Sequence, residues 1–310
     1  MSTQSNAVPE PSSASVPIGI AEIPAPRRMY WALRRELWEN RSIYLAPLAV
    51  ACVFLFGFLL TGAHHLAQTM RAASALDPRQ LHHQIEEPYD IVAGALMATF
   101  ILVAMFYCVE SLQGERRDRS ILFWKSLPVS DVTTVAAKAS IPFIVLPLFT
   151  VAVTVALQFV MLLVSSVVLA GNGMSVGTYW TQVGLFQASL LLLYHVFTVH
   201  VLWSAPIYGW LLLVSAWARR GALLWAALPP LAIGMLEKLL FNTAHFAAFI
   251  GQFFTGGTEG HYAPGTMPMD PQTHLTPWRF LSTPGLWAGL AVTAAFLAAA
   301  VRLRRYREPM

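Results

Sequence analysis

The sequence predicts an all-α polytopic membrane protein with six transmembrane helices, and three observations support this prediction. Of its 310 residues, 56% are hydrophobic and only 12% are charged, about half of the roughly 25% found in soluble domains. The mean hydropathy is +0.56. Between Lys138 and Arg219, 80 consecutive residues contain no Asp, Glu, Lys or Arg. This composition excludes a water-facing domain, a disordered regulator and a nucleic-acid binder.

Six apolar stretches are long enough to span a bilayer, which requires about 20 residues of helix. We expect spans at about 42–62, 90–110, 133–170, 184–217, 222–245 and 285–302. The third and fourth spans exceed one bilayer thickness, so we expect them to tilt, protrude or kink at their prolines. We expect Pro229-Pro230 to interrupt the fifth span.

Four of the five connections between the predicted spans are assigned as loops. We expect outer loops at 63–89, 171–183 and 246–284, and one inner loop at 111–132. Residues 235–284 allow two interpretations, a re-entrant hairpin or interfacial outer helix, or the upper half of a long fifth helix.

The distribution of basic residues orients the chain. With the N-terminus inside, four of the 20 Lys and Arg residues lie outside: Arg71, Arg79, Lys238 and Arg279. The other sixteen lie on the inner side, which predicts six crossings with both termini in the cytoplasm.

The N-terminal region contains two predicted segments. Residues 1–26 are rich in Pro, Ser and Ala and should form a disordered tail, and they lack the pattern of a signal peptide. Residues 30–41 form an amphipathic pattern typical of an interfacial helix on the inner leaflet. Its apolar arc consists of Tyr30, Trp31, Leu33, Leu37 and Trp38. Arg35, Glu36, Glu39 and Asn40 lie on the opposite arc, while Arg34 and Arg41 must snorkel out of the apolar arc.

No catalytic or metal motif stands out in the sequence. The lysines lie outside any P-loop context, so the chain has no ATPase site of its own, and zinc or serine-hydrolase motifs are missing. Cys52 and Cys108 lie in apolar runs and should be packing residues. Paired histidines occur in the first outer loop: His64, His65, His82 and His83. With the nearby Glu86, Glu87 and Asp90 they could bind Zn or Cu, but solvated loop residues are the favoured interpretation.

Two further histidines lie inside the fourth span. His195 and His200 are five residues apart, a spacing that does not place them well on one face of an α-helix. We expect them to form structural hydrogen bonds rather than to transfer protons.

The inner loop after the second span carries the most informative pattern. Its charged first half is followed by a short apolar helix, which Pro128 ends. The apolar residues predict either insertion into a groove of a partner protein or a helix lying on the lipid headgroups. Glu110, at the end of the second span, is expected to pair with Arg116, Arg117 or Arg119 or to be an ordinary helix-end charge.

The loop resembles the permease subunits of ABC-2-type bacterial transporters. In that family the second span is followed by Glu-Arg, then Gly-Thr or Gly-Ser, an apolar helix, Leu-Pro-Val-Ser and a Lys. This chain is similar in order and approximate spacing, with Glu115-Arg116, Ser120-Ile121, 126–130 and Lys138. Arg119 replaces the usual glycine. The resemblance implies a contact with the ATPase, which we expect to involve Glu115, Arg116, Arg119, Ser120, Ile121, Phe123, Trp124, Leu127 and Pro128.

The resemblance implies a transport subunit in a bacterial inner membrane with an ABC-2-type exporter permease architecture. Two separate ATPase subunits, which bind ATP and Mg, would drive it, and it would pair with a second permease, itself or a paralogue. This chain would bind no cofactor and no nucleic acid, and it would contact membrane lipid. Export of an amphipathic or lipid-like molecule, drug or peptide is the expected activity.

Two other classes of function remain open at the level of the sequence. The outer His and Glu residues would suit an intramembrane enzyme or a metal-handling membrane protein. A membrane anchor or sensor without transport is the second alternative.

Overall fold

The computed structural model describes residues 24–72, 78–117, 130–255 and 277–306. Within these ranges the chain is almost entirely helical and contains no β-strand. Residues 1–23, most of the predicted tail, lie outside this description. So do residues 118–129, which carry most of the predicted ATPase contact.

Thirteen α-helices, numbered here in chain order, make up the described part. They are α1 Ala25–Glu39, α2 Ser42–Gly57, α3 Ala63–Ala72, α4 Pro78–Arg117, α5 Asp131–Ser140, α6 Leu146–Gly171, α7 Val176–Val183, α8 Leu185–His195, α9 Ala205–Trp217, α10 Ala222–Phe241, α11 His245–Thr255, α12 Pro277–Leu281 and α13 Pro284–Tyr306. Three π-helical segments extend α2, α5 and α8: Phe58–Gly62, Ile141–Val145 and Val196–Trp203.

Six helices in the described ranges are long and apolar enough to cross a membrane, as the sequence predicts. Their bounds are Ser42–Gly62, Gln80–Arg117, Asp131–Gly171, Val176–Trp203, Ala222–Phe241 and Pro284–Tyr306. The chain is therefore an all-helical, multi-pass membrane protein.

Several segments that the sequence assigns to loops are helical in the structure. Of the outer segment 63–89, α3 and the first turns of α4 are helical, because Ile85 and Tyr89 pack into an apolar core. Helix α7 occupies most of 171–183, and α11 and α12 lie in 246–284. Helix α4 continues to Arg117, so residues 111–117, which were assigned to the inner loop, are helical.

The fourth span breaks next to a proline, as expected, whereas the fifth differs from the sequence prediction. The fourth breaks at Ser204, just before Pro206, because proline has no backbone N–H to continue the helical hydrogen bonds. The fifth helix runs without interruption through Pro229 and Pro230 and ends at Phe241. Asn242 then adopts a left-handed conformation with φ of 50°, which turns the chain into α11.

The turn after α10 decides between the two interpretations of residues 235–284. The carboxylate of Glu237 accepts hydrogen bonds from the backbone N–H groups of His245 and Phe246, each at 2.7 Å, and so caps α11. Trp203 Nε1 donates to the carbonyl of Gln252 at 2.8 Å. Helix α11 therefore folds back against the bundle, which overturns the alternative of one long fifth helix.

The transmembrane helices share two large apolar cores. One core, near the chain termini, includes Phe100, Tyr107, Ile141 and Tyr208. The other, towards the opposite end, includes Ile85, Leu96, Met161 and Tyr179. Helices α9 and α13 approach closely at Gly209, where an added Cβ would lie 3.2 Å from Thr293 Cγ2.

Candidate functional site

The polar arc of α1 is buried at Glu36 but exposed at Glu39, whose side chain is 45% exposed. Glu36 is only 2% exposed. Its Oε1 accepts a hydrogen bond from Lys138 Nζ at 2.8 Å, and its Oε2 accepts one from Tyr107 Oη at 2.8 Å. The polar arc predicted for an interfacial helix is therefore directed into the protein at Glu36, whose charge is compensated by a buried lysine on α5.

Glu115, near the end of α4, forms ion pairs with three basic side chains. Its Oε1 accepts from Arg35 Nη2 at 2.7 Å and lies 3.1 Å from Lys138 Nζ. Its Oε2 accepts from Arg304 Nη1 at 2.5 Å. Lys138 is shared between Glu36 and Glu115, so its ammonium joins two carboxylates from different helices.

Arg304 extends these contacts to the helix that follows the inner loop. Its Nε donates to Asp131 Oδ1 at 3.1 Å. Asp131 is the first residue of α5, and Ser130 caps that helix by accepting from Thr133 N. We call the connected residues the ionic cluster: Arg35, Glu36, Tyr107, Glu115, Asp131, Lys138 and Arg304.

The ionic cluster joins α1, α4, α5 and α13 at one end of the bundle. Its three acids face three bases, and Glu39, whose side chain is 45% exposed, adds a fourth carboxylate 2.8 Å from Arg35 Nε. Buried charges need such partners because an uncompensated charge inside a protein is very costly. Burial disfavours the charged form of Arg35, but its hydrogen bond to Glu39 and the charge of Glu115 raise its pKa above the ordinary value. Both described chain ends therefore lie at the same end as the two flanks of segment 118–129.

The expected partners of Glu110 are divided by the structure. Of the three arginines expected near it, Arg116 donates from Nη2 to the carbonyls of Ser215 and Ala218, at 2.7 and 2.8 Å. Glu110 pairs with Arg117 at 3.3 Å, one of the three arginines predicted, and both side chains are exposed.

The rest of the predicted contact lies outside the described residues. This applies to Arg119, Ser120, Ile121, Phe123, Trp124, Leu127 and Pro128. The structure therefore describes the two flanks of the loop and how they are joined, from Glu115 to Arg117 and from Ser130 onward.

The apolar arc of α1 divides into two parts. Tyr30, Trp31 and Trp38 are exposed, whereas Leu33 and Leu37 pack against the core near the termini. The guanidinium of Arg34 lies 5.2 Å from the Trp31 ring centroid and 5.4 Å from that of Trp38. These cation–π contacts keep the charge beside aromatic rings of the kind that favour a membrane interface.

The two histidines of the fourth span contact each other. Their ring centroids are 5.2 Å apart, and both side chains are buried. The expectation of separate faces is wrong because the helix widens to a π-helix from Val196, and residues five apart then become neighbours. Sequence spacing read with an α-helical period misses this pair.

The outer histidines form no large ligand group in the described part of the chain. His82 Nε2 lies 3.5 Å from Glu86 Oε1, one turn along α4. Among the residues described, no three His, Cys, Asp or Glu side chains come together in a way that could hold a metal ion.

Comparison with protein-family models, curated proteins and solved structures finds no match to this chain. Its classification as an all-helical, multi-pass membrane protein therefore rests on its own sequence and geometry.

Proposed function

We propose that the chain is the transmembrane permease subunit of an ABC-2-type transporter. It moves a substrate across the bacterial inner membrane, and separate ATPase subunits supply the energy. The cargo class is an amphipathic or lipid-like molecule, drug or peptide, and the direction is export. Two ATPase chains and a second permease, identical or related, complete the complex.

One observation carries this proposal. Glu115 and Lys138, which flank the loop similar to the ABC-2 pattern, lie in the same ionic cluster and are 3.1 Å apart. A force on segment 118–129 would act on both flanks, and through the cluster on α1 and α13. Rigid connections of this kind suit a loop that transmits a partner's movement to the spans.

The arrangement of the chain ends supports the proposed topology. The ionic cluster brings α1, the end of α13 and both flanks of 118–129 to one end of the bundle. An even number of crossings would bring both chain ends to one side, and the excess of basic residues supports a cytoplasmic location for that side.

The test replaces the apolar residues proposed to enter the ATPase groove. Trp124→Ala with Leu127→Ala should leave the chain inserted, because these residues lie outside the spans. Anchor residues of this type typically contribute about 2 kcal/mol or more each to an interface. We therefore expect weaker co-purification of the ATPase and loss of ATP-dependent transport in reconstituted vesicles.

The chain offers a matched control on another segment. Trp278 and Leu281 have the same residue types and spacing, and they are 84% and 45% exposed. Their double alanine variant should retain both ATPase binding and transport. If Trp124→Ala with Leu127→Ala also retained both, the loop would be a connector on the headgroups and the proposal would lose its main support.

A further inference from the structure

A groove lies beside the end of α4, away from the ionic cluster. Its volume is about 660 Å³, within the range of about 300–1,000 Å³ typical of ligand sites. It is bounded by the last turns of α4 and by the turn that leads into α10. The groove combines arginines with apolar side chains, a combination that selects ligands with a charged head and an apolar body.

The turn that bears two of these arginines is held firmly against α4. Arg116 binds the carbonyls of Ser215 and Ala218, and Gln113 Oε1 accepts from Ala222 N at 3.2 Å. Contacts on both sides of 219–221 therefore fix the turn. Gly221 completes it with φ of +61°, a conformation that side-chain-bearing residues rarely adopt.

The charges in the groove do not cancel. Arg117, Arg219 and Arg220 line it with one carboxylate, Glu110, which is paired with Arg117 at 3.3 Å. Two positive charges remain, and neither Arg219 nor Arg220 forms an ion pair with any residue that the structure describes. The groove therefore attracts an anion.

The groove also has an apolar wall that is open to the membrane. Phe106 is 60% exposed and Leu223 is 54% exposed, and both line the groove. Phe106 lies almost three turns before the end of α4, so the wall extends towards the membrane interior, while the arginines lie at the helix ends. A soluble anion would use only the arginines, whereas a lipid would also cover the wall.

We infer that this groove is a binding site for an anionic phospholipid of the inner leaflet. The lipid phosphate lies between Arg219 and Arg220, and an acyl chain covers Phe106 and Leu223. Basic pockets between helices on the cytoplasmic side are suited to anionic headgroups. The inference goes beyond the proposed function, because the site does not depend on the loop or on an ATPase.

The test measures lipid binding to the full chain purified in detergent. Native mass spectrometry would compare phosphatidylglycerol with phosphatidylcholine of the same acyl chains. Each arginine near the surface contributes about 1 kcal/mol to binding of an anionic lipid. Arg219→Gln with Arg220→Gln should therefore weaken phosphatidylglycerol binding about thirtyfold, at about 1.4 kcal/mol per factor of ten.

The control removes two arginines at the same end of the bundle but outside the groove. Arg302 and Arg305 are exposed on α13, and their double Gln variant should bind phosphatidylglycerol like the unmodified chain. An equal loss in both variants would show a general charge effect and overturn the inference. Equal binding of the two lipids by the unmodified chain would also overturn it.

Two further measurements separate the remaining outcomes. Inorganic phosphate at the same concentration should not displace phosphatidylglycerol, and displacement would show a site for soluble anions instead. Leu223→Glu places a carboxylate in the groove and keeps both arginines, so it tests the site even if the arginine variant does not fold. It should also weaken phosphatidylglycerol binding, and unchanged binding would contradict the proposed position of the lipid.

Discussion

Removal of the Lys138 ammonium tests whether the ionic cluster holds its end of the bundle together. Lys138 is 1% exposed, and its Nζ lies 2.8 Å from Glu36 Oε1 and 3.1 Å from Glu115 Oε1. In Lys138→Met, Glu115 keeps Arg35 and Arg304 as partners. Glu36 retains only the hydroxyl of Tyr107. The variant therefore leaves one buried carboxylate without a counter-ion.

We expect Lys138→Met to lower the stability of the protein strongly. Removing one partner of a buried ion pair lowers the free energy of unfolding by about 3–5 kcal/mol. At about 2 °C per kcal/mol for a chain of this size, we expect the Tm to fall by about 6 °C or more. Lys238→Met is the matched control, because Lys238 is exposed and forms no cluster, and its Tm should change little.

A natural reporter for this measurement lies beside the cluster. Cys108 is fully buried next to Tyr107, whereas Cys52 is exposed. In a Cys52→Ser background, a thiol-reactive fluorogenic dye would label the chain only when the helices around Cys108 separate. Heating the purified protein in detergent with this dye would give the Tm of each variant.

A compensating variant decides whether charge is the cause. Glu36→Gln with Lys138→Met removes the unpaired carboxylate and should recover about 1–2 kcal/mol relative to Lys138→Met alone. If Lys138→Met melted like Lys238→Met, the cluster would not stabilise the bundle. If the double variant were no more stable than Lys138→Met, packing rather than charge would explain the loss.

Two more predictions concern the topology and the outer histidines. In a chain without native cysteines, an impermeant thiol reagent added outside intact cells should modify Thr258→Cys and not Ser120→Cys, and the reverse pattern would refute the orientation. We expect the outer histidines not to be a required metal site, so replacing all four by Gln should leave Zn²⁺ binding in equilibrium dialysis and the proposed transport close to the unmodified level. The four residues replaced are His64, His65, His82 and His83. Loss of activity in this variant, together with stimulation of the unmodified chain by Zn²⁺, would contradict the prediction.

The apolar composition alone determined the fold class and the approximate positions of the six spans. In a bilayer each backbone N–H and C=O group must be bonded within the chain, so a long uncharged stretch has almost no choice but a helix. The same reasoning could not predict the residues at which the helices begin and end. Residues 78–90 are polar enough for a loop, and they are helical because Ile85 and Tyr89 pack into a core made by distant segments.

The sequence also singled out the inner loop but did not identify the partners of its flanks. Glu115 and Lys138 were recognised only as parts of the loop pattern, and Arg304 only as one of the inner bases. A basic residue several positions inside an apolar span is itself a signal, since its burial requires an acidic partner. The sequence contained that signal in Lys138, but several acids could have been its partner.

Only the tertiary structure determines which charged side chains form ion pairs. Arg35 and Glu115 are 80 positions apart, and Glu115 and Arg304 are 189 apart. Local spacing contains no information about such contacts, because they depend on how whole helices pack and on their rotation about their axes. The same holds for His195 and His200, whose contact depends on a local change from α- to π-helix. Composition determines that a chain enters the membrane, whereas helix packing determines which of its few polar groups are brought together there.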